Sequence, residues 1–434
     1  MKFYSTRNKK NIVTLKEAIL QGIADDGGLF MPTEIPRQTQ SFFRDIRKRT
    51  FTEVANRIAN LFFRDDIPSR DIESIVLSAF DFESPLIPLN HRLSVLELFH
   101  GPTLAFKDFG ARFMARILSY LMQYDNSEIT ILVATSGDTG SAVAHGFHNQ
   151  PGIDVILLYP SGMVSDIQEK QLTTLAGNIT ALEIDGTFDD CQRLVKTAFL
   201  NQDIKRYRRL SSANSINIAR LIPQSFYYFA AYSQLENHDT PLIMSVPSGN
   251  LGNLTAGLIA KEMGLPVQKF IAALNVNKVF HNYMNSGEYQ ALSAIPTLSN
   301  AMDVGNPSNF SRILALYGND HTKITDTIYS ASFSDLSTRQ AIKEIYSKFG
   351  YIMDPHGSVG YLAMKKYLSE NTLSNFHGII LETAHPAKFS SAVNEELNIE
   401  VEIPKVLKES LSRKKNAIKI SKNFSDFKSF ILEN

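Results

Sequence analysis

The 434-residue chain predicts an α/β protein, two lobes built on parallel sheets behind an N-terminal subdomain. Three observations carry that expectation. Apolar strand-like runs alternate with amphipathic helical runs from residue 93 onward, the signature of βαβ units. Two of those strands empty into glycine-rich loops that open helices. The length, with 44% hydrophobic and 20% charged residues, supports more than one core.

Residues 1–92 form the expected N-terminal arm or subdomain, where VTLKEAILQGIA and FTEVANRIANLF show helical periodicity around the turn-rich DDGGLFMP. Residues 93–215 read as the smaller lobe. It runs from the strand SVLELFH through a helix starting at Lys107, then EITILVA, SAVAHGF, DVILLYP, DIQEKQLTTLAG, NITALEIDG and DDCQRLVKTAFL. Residues 216–434 read as the larger lobe with a C-terminal tail. Around its start, NSINIARLIPQSFYYFAAYSQL is helical. PLIMSVPSG, LTAGLIAKEMG, KFIAALN, RQAIKEIYSKFG, SVGYLAMKKYL and FHGIILETA then continue the alternation. No repeat or low-complexity linker separates the lobes.

Composition narrows the function. Forty-four basic residues balance forty-four acidic ones at a pI near 7.2, so nothing draws the chain to nucleic acid or an anionic membrane. Small molecules, or copies of the chain as a homodimer, are the expected partners; a monomer fits equally well. Cys191 is the sole cysteine, which excludes intrachain disulfides and cysteine zinc clusters and fits a packed thiol in a reducing compartment. The N-terminus lacks a signal-peptide apolar core and no window approaches the roughly 20 apolar residues of a membrane span, so the protein is expected to be cytoplasmic. Arg413, Lys414 and Lys415 read as a solvated face.

In PLIMSVPSGNLGNLTAGLIA a strand ends near Val246, a Gly/Asn loop follows and a helix is expected near Leu254. Gly249 and Gly252 let the loop amides turn inward, and the helix N-terminus adds about half a positive charge, which makes a phosphate cradle. The loop lacks both the P-loop ending and the GxGxxG spacing, and a tight turn without ligand is an equally open reading. ATSGDTGSAVAHGF repeats the design. Thr135, Ser136 and Thr139 bring hydroxyls beside the amides of Gly137 and Gly140, a set suited to a carboxylate or phosphate. Asp138 would repel an anion, and helix N-capping is its other reading.

Lys107 opens a helix whose apolar face recurs through Phe109, Phe113, Met114, Ile117, Leu118 and Leu121. The helix N-terminus and flanking Phe106 and Phe109 lower its pKa and free the amine for Schiff-base chemistry, whereas periodicity alone favours a snorkelling surface lysine. A Schiff-base lysine paired with a phosphate cradle points to pyridoxal phosphate.

HGPTLAFKDFGARF, ATSGDTGSA, VPSGNLGN and LETAHPAKF, with DDGGLFMP and AMDVGNPSNFSRI, closely resemble the motifs of the threonine synthase family, in its microbial group with a long N-terminal segment. The resemblance implies a fold-type II pyridoxal phosphate enzyme, tryptophan synthase β-like. The implied reaction converts O-phospho-L-homoserine and water to L-threonine and phosphate. It implies Lys107 as the Schiff-base lysine and proton carrier, and Ser248, Gly249, Asn250, Leu251, Gly252 and Asn253 as the cofactor-phosphate loop. Leu251 and Asn253 stand where the family commonly has phenylalanine and often aspartate. Thr383 is implied as the hydroxyl partner of the pyridine nitrogen. Asn214, Ser215 and Arg220 are implied at the substrate phosphate, and Thr135, Ser136, Gly137, Asp138 and Thr139 at the amino-acid end. His100, His356 and His385 have no helical metal spacing, so packing roles and no metal are expected. A related lyase or dehydratase releasing 2-oxobutanoate shares the lysine and cradle, and a silent anion-binding α/β protein would leave Lys107 without a task.

Overall fold

The apolar run Leu242–Pro247 is buried at every position because parallel neighbours flank it on both sides and helices cover both faces. In the computed structural model, which describes residues 1–123, 125 and 128–433, this strand lies inside a six-stranded sheet. The spatial order is Ile328–Ser332, Val267–Leu274, Leu242–Pro247, His377–Glu382, Leu93–Glu97 and Leu86–Pro88, all parallel except the last edge strand. A second, wholly parallel sheet runs Ile418–Ser421, Ile179–Asp185, Ile153–Pro160, Ile129–Ala134 and Arg209–Ser211. A small antiparallel sheet of Ile12–Thr14, Lys2–Ser5 and Phe30–Pro32 begins the N-terminal part.

Strand pairing crosses the linear boundaries expected at 92/93 and 215/216. Leu93–Glu97, placed with the smaller lobe by sequence order, pairs with His377–Glu382 of the larger sheet. Ile418–Ser421 returns from the tail to the edge of the smaller one. Burial explains the first: Ser94, Val95 and Leu96 are buried only against the larger sheet. The tail strand is largely exposed and is held by its pairing with Ile179–Asp185 and by the following helix, which buries Phe427 and Ile431.

The helix Lys107–Met122 buries Phe109, Phe113, Met114, Ile117, Leu118 and Leu121, as its periodicity predicts. Its aromatic residues join Phe63 and Phe80 of the N-terminal part and Phe226 and Tyr227 of the larger lobe, so the N-terminal helices are packed into the core. Capping boxes at Thr14/Glu17 and Thr50/Glu53 start two of those helices. Gly252–Glu262 begins two residues before the expected Leu254, and Asp138–Phe147 begins inside the TSGDTG loop. Both shifts bring helix N-termini closer to the loops. Cys191 is buried, and burial pushes its thiol up to about 12. Lys415 departs from a solvated face: it lies 2.7 Å from both Glu169 and Glu183 and pins the tail to the smaller lobe. Among the described residues no helix is long and apolar enough to cross a membrane.

Candidate active site

The predicted site residues follow the carboxyl ends of parallel strands: Leu93–Glu97 for Lys107, Ile129–Ala134 for TSGDTG, Leu242–Pro247 for SGNLGN and His377–Glu382 for Thr383. Open α/β sheets collect ligands at such ends. An isolated bridge between Ala105 and Ala384, with the Phe106 amide donating to Thr383 O at 2.9 Å, seats Lys107 beside Thr383. Leu104 takes a left-handed conformation, φ 57°, to make this approach. The loop before Lys107 is clamped by Asp108, whose carboxylate accepts from the Thr103 amide at 2.9 Å and hydroxyl at 2.7 Å. Burial raises the Asp108 carboxyl to about 6.

The Lys107 amine is lowered to about 8. Burial is the main cause, opposed by Asp138 and reinforced by Lys388 and Arg220. The expected direction therefore holds, with the expected desolvation as its main cause and the neighbouring charges of Asp138, Lys388 and Arg220 added to it. Asp138 does not cap: Gly137 occupies the N-cap position and Asp138 is the first helical residue. Its carboxylate, buried in the site, lies 2.7 Å from Lys388 Nζ and accepts from Gln168 Nε2 at 3.0 Å. Burial pushes that carboxyl up, but the Lys388 and Lys107 cations outweigh it and hold it below the usual range. Lys388 also donates to Thr103 O at 2.8 Å, linking the pair to the loop that carries Lys107. Sequence reasoning missed Lys388, although it sits in the quoted motif LETAHPAKF; the signal was a lysine inside an otherwise apolar turn.

In SGNLGN the main chain offers the binding surface. The amides of Gly249, Asn250, Leu251, Gly252 and Asn253 donate to no protein acceptor among the described residues, and they gather at the N-terminus of Gly252–Glu262. Leu251 holds φ 60°, which turns the chain into that helix. A Cβ on Gly249 would lie 2.7 Å from Met302 Cα and 2.9 Å from Ala301 O, so only glycine fits under that segment. Several side chains of the set serve the scaffold. The Ser248 amide donates to Ala273 O and its hydroxyl to Val246 O, both at 2.8 Å. Asn253 Oδ1 accepts from Tyr227 at 2.6 Å and Tyr228 at 2.7 Å. Asn250 donates to Ser215 Oγ at 2.7 Å and accepts from the Ser308 amide at 2.5 Å.

TSGDTG differs from the expected donor set. Thr135 is buried and its Oγ1 accepts from the Gly137 amide at 3.0 Å and the Gly140 amide at 2.8 Å, so these three groups satisfy one another. Ser136 is exposed and Thr139 half-buried. Asn214 donates to Ala134 O at 3.3 Å, which ties the 214–215 turn to the start of this loop. Ser215 Oγ accepts from Asn250 and Asn309, leaving its proton to donate outward. Arg220 is buried, not solvent-facing. It donates to Ala213 O through Nη1, while Nε lies buried without a partner against Gly110. Burial, opposed by Asp108, lowers its pKa to about 10.

The three histidines have supporting contacts. His356, buried, meets Asp354 through Nδ1 at 3.2 Å and accepts the Ala301 amide at Nε2, which positions the segment over Gly249. His385 Nδ1 accepts the Ala387 amide at 3.1 Å, and His100 pairs with Glu97 at 2.7 Å.

The donors fit pyridoxal phosphate: five amides without protein acceptors for a phosphate, a lysine near neutrality for an aldehyde, and a buried hydroxyl at Thr383 beside it. Comparison with known proteins agrees with that chemistry. Residues 2–80 match the family model "Threonine synthase N terminus", 82–376 match "Pyridoxal-phosphate dependent enzyme" and 357–431 match "Threonine synthase, C-terminal". Threonine synthase of Buchnera aphidicola subsp. Baizongia pistaciae is 40% identical over 435 residues, covering 100% of each chain. The crystal structure of the Escherichia coli threonine synthase aligns with TM-score 0.92 at 40% identity over 100% of both chains. A pyridoxal phosphate-bound threonine synthase from Brucella melitensis aligns with TM-score 0.93 at 34% identity, covering 100% of this chain and 99% of that one.

Proposed function

The chain belongs to the threonine synthase family, and from that premise we propose how its own residues divide the work. It is a fold-type II pyridoxal phosphate enzyme, a carbon–oxygen lyase acting on phosphates, that converts O-phospho-L-homoserine and water to L-threonine and phosphate. The cofactor, when bound, supplies the conjugated electron sink that lets a proton leave the carbon bearing the substrate amine.

Lys107 would hold the cofactor aldehyde, the amides of Gly249, Asn250, Leu251, Gly252 and Asn253 its phosphate, and Thr383 its ring nitrogen. A hydroxyl at that nitrogen leaves it largely unprotonated. Ser248 belongs to the loop as a hinge fixed to the strands and not as a phosphate ligand. With its amine free, Lys107 would take the proton from substrate Cα, and its depressed pKa matches that duty near neutral pH. The Lys388–Asp138 pair sets the field in which that amine works, so Asp138 acts on Lys107 and not as a ligand of the substrate. Ser136 and Thr139 take the amino-acid end through their hydroxyls. Asn214, Ser215 and Arg220 are placed at the substrate phosphate, supported by the outward proton of Ser215 and the unpartnered Nε of Arg220. Closure of the smaller lobe over that phosphate would exclude water until the water that adds at Cβ is admitted.

The observation that carries this division is the seating of Lys107 against Thr383 by the Ala105–Ala384 bridge, in a site whose phosphate loop has amides without protein acceptors. We further place the enzyme in the cytoplasm, consistent with its single buried thiol, as a monomer or homodimer. We retain 1–92, 93–215 and 216–434 as sequence units, with strands exchanged between the last two. The test is turnover of O-phospho-L-homoserine followed as phosphate together with threonine. Lys107→Ala is expected to lose about 10⁴-fold or more while remaining folded. Substantial turnover by that variant refutes the role of Lys107, and 2-oxobutanoate as the main wild-type product would mark a dehydratase.

A further inference from the structure

Two sequence motifs have no duty in the division above: DDGGLFMP near the N-terminus and AMDVGNPSNFSRI in the larger lobe. The structure joins them through Arg312. This side chain is fully buried on the short helix Phe310–Leu316, and its five N–H donors are matched by five hydrogen bonds. Nε and Nη2 donate to Phe30 O at 3.2 and 3.1 Å. Nη1 donates to Ser215 O at 3.0 Å and to Asn309 Oδ1 at 2.7 Å. Nη2 also donates to Ile216 O at 2.6 Å. All the acceptors are neutral, and burial lowers the guanidinium to about 9.

Asn309, itself fully buried, carries the arrangement onward. Its Nδ2 donates to Asn250 O at 3.1 Å and Ser215 Oγ at 3.2 Å, and it lies 3.4 Å from the place a Cβ on Gly252 would occupy. One hydrogen-bonded path therefore runs from the main chain of Phe30, through Arg312 and Asn309, to Asn250 in the amide row and to the 215–216 turn, and Asn309 packs against Gly252. An arginine with all donors engaged in a rigid fork fixes relative positions as a lysine cannot.

We propose that Arg312 and Asn309 are positioning residues for the cofactor-phosphate loop. They hold Asn250 and Gly252 against Ser215 and make the N-terminal subdomain a structural part of phosphate binding. This rests on the assignment of SGNLGN to the cofactor phosphate. The geometry gives the subdomain a task at the site although its contact there is made by one carbonyl, Phe30 O, at second hand. The guanidinium also stands as a buried positive charge that no carboxylate neutralises among the described residues, which favours an anion on the far side of Asn309.

The test uses the full-length chain stripped of cofactor and titrated with pyridoxal 5'-phosphate and with pyridoxal, which lacks the phosphate. A general loss of structure weakens both probes alike. A misplaced phosphate loop weakens only the first. Arg312→Lys and, as a milder change should that variant fold poorly, Asn309→Ala are each expected to cut the preference for pyridoxal 5'-phosphate over pyridoxal by about tenfold or more. Pyridoxal affinity stays within about twofold of the unsubstituted chain. Unchanged preference in folded Asn309→Ala and Arg312→Lys overturns the inference, whatever happens to their melting temperatures. If the unsubstituted chain itself shows no preference, the loop assignment falls first and the inference with it.

Discussion

Replacing Lys388 with methionine removes a buried cation while leaving most of its hydrocarbon volume. In the intact site its ammonium lies 2.7 Å from Asp138 Oδ1, and the two opposed charges act on a Lys107 amine held at about 8. Without Lys388 the Asp138 carboxylate faces Lys107 as its nearest remaining counter-charge, and a cation that had lowered the amine is gone. Both changes raise it. A charge partner within contact range moves a pKa by about 1–3 units, each worth about 1.4 kcal/mol. Taking only one unit, the neutral fraction of Lys107 at about pH 7.5 falls from about one quarter to about 3%, roughly eightfold. The assay is the rate at which the full-length, cofactor-free chain captures pyridoxal phosphate, followed by absorbance as a function of pH, because only the neutral amine attacks an aldehyde. The wild-type midpoint is expected at about 8 and that of Lys388→Met at about 9 or higher. The double variant Lys388→Met/Asp138→Asn loses both influences, so its midpoint returns to the wild-type value or below. It also melts above the single variant, in which the buried Asp138 carboxylate has lost its contact cation and keeps only Gln168 and Lys107. A folded single variant with an unmoved midpoint, or a double variant shifted as far upward as the single one, refutes this account of Lys107.

Two further outcomes follow from packing and charge. Gly249→Ala drives a methyl group to 2.7 Å from Met302 Cα, so the 301–302 main chain must retreat; the expected cost is about 1–3 kcal/mol in urea unfolding, together with weaker retention of pyridoxal phosphate on dialysis. Equal stability and equal retention would show that the segment yields freely. Glu382 is fully buried with Oε2 unpartnered, and burial, with the Asp354 and Glu97 charges, raises its carboxyl well above the usual 4.5. The folded state keeps that proton where the unfolded chain loses it, so this group lowers stability progressively as pH rises above about 4.5. Glu382→Gln removes the titration; its urea midpoint relative to wild type is expected to climb between acid and mildly alkaline pH, by up to about 1.4 kcal/mol per pH unit, and a constant difference would contradict the sign.

Much of the architecture was legible because burial writes itself into periodicity: the parallel strands are continuous apolar runs, and the helix from Lys107 shows its buried face residue by residue. SGNLGN was legible as a cradle because a strand, two glycines and a helix start determine where amides point. The partners of the charges were not. Lys388 stands out as a lysine in an apolar turn, but it meets Asp138 across 250 residues of sequence, and Arg312 sits on a short helix where an arginine ordinarily faces water, so neither sequence position reveals its partner. Thr135 misled for the opposite reason: a hydroxyl that closes its own loop and one that waits for a ligand occupy the same kind of sequence. The exchange of strands between the lobes was likewise invisible, since an edge strand is chosen by a surface that the linear order does not reveal.

That exchange governs the order in which the molecule can be assembled as it is made. The wider sheet holds Leu93–Glu97 beside His377–Glu382, so an early strand must wait for most of the polypeptide to emerge before its neighbour exists. The narrower sheet closes its outer edge only when Ile418–Ser421 arrives. Neither sheet can be completed until most of the chain has been made, and closing such long chain loops makes folding slow. Until then the apolar face around Val95 and Leu96 has no permanent cover. A nascent chain stalled before residue 377 is therefore a natural client for chaperones, and truncations from the C-terminus are expected to aggregate and not to leave a smaller working enzyme.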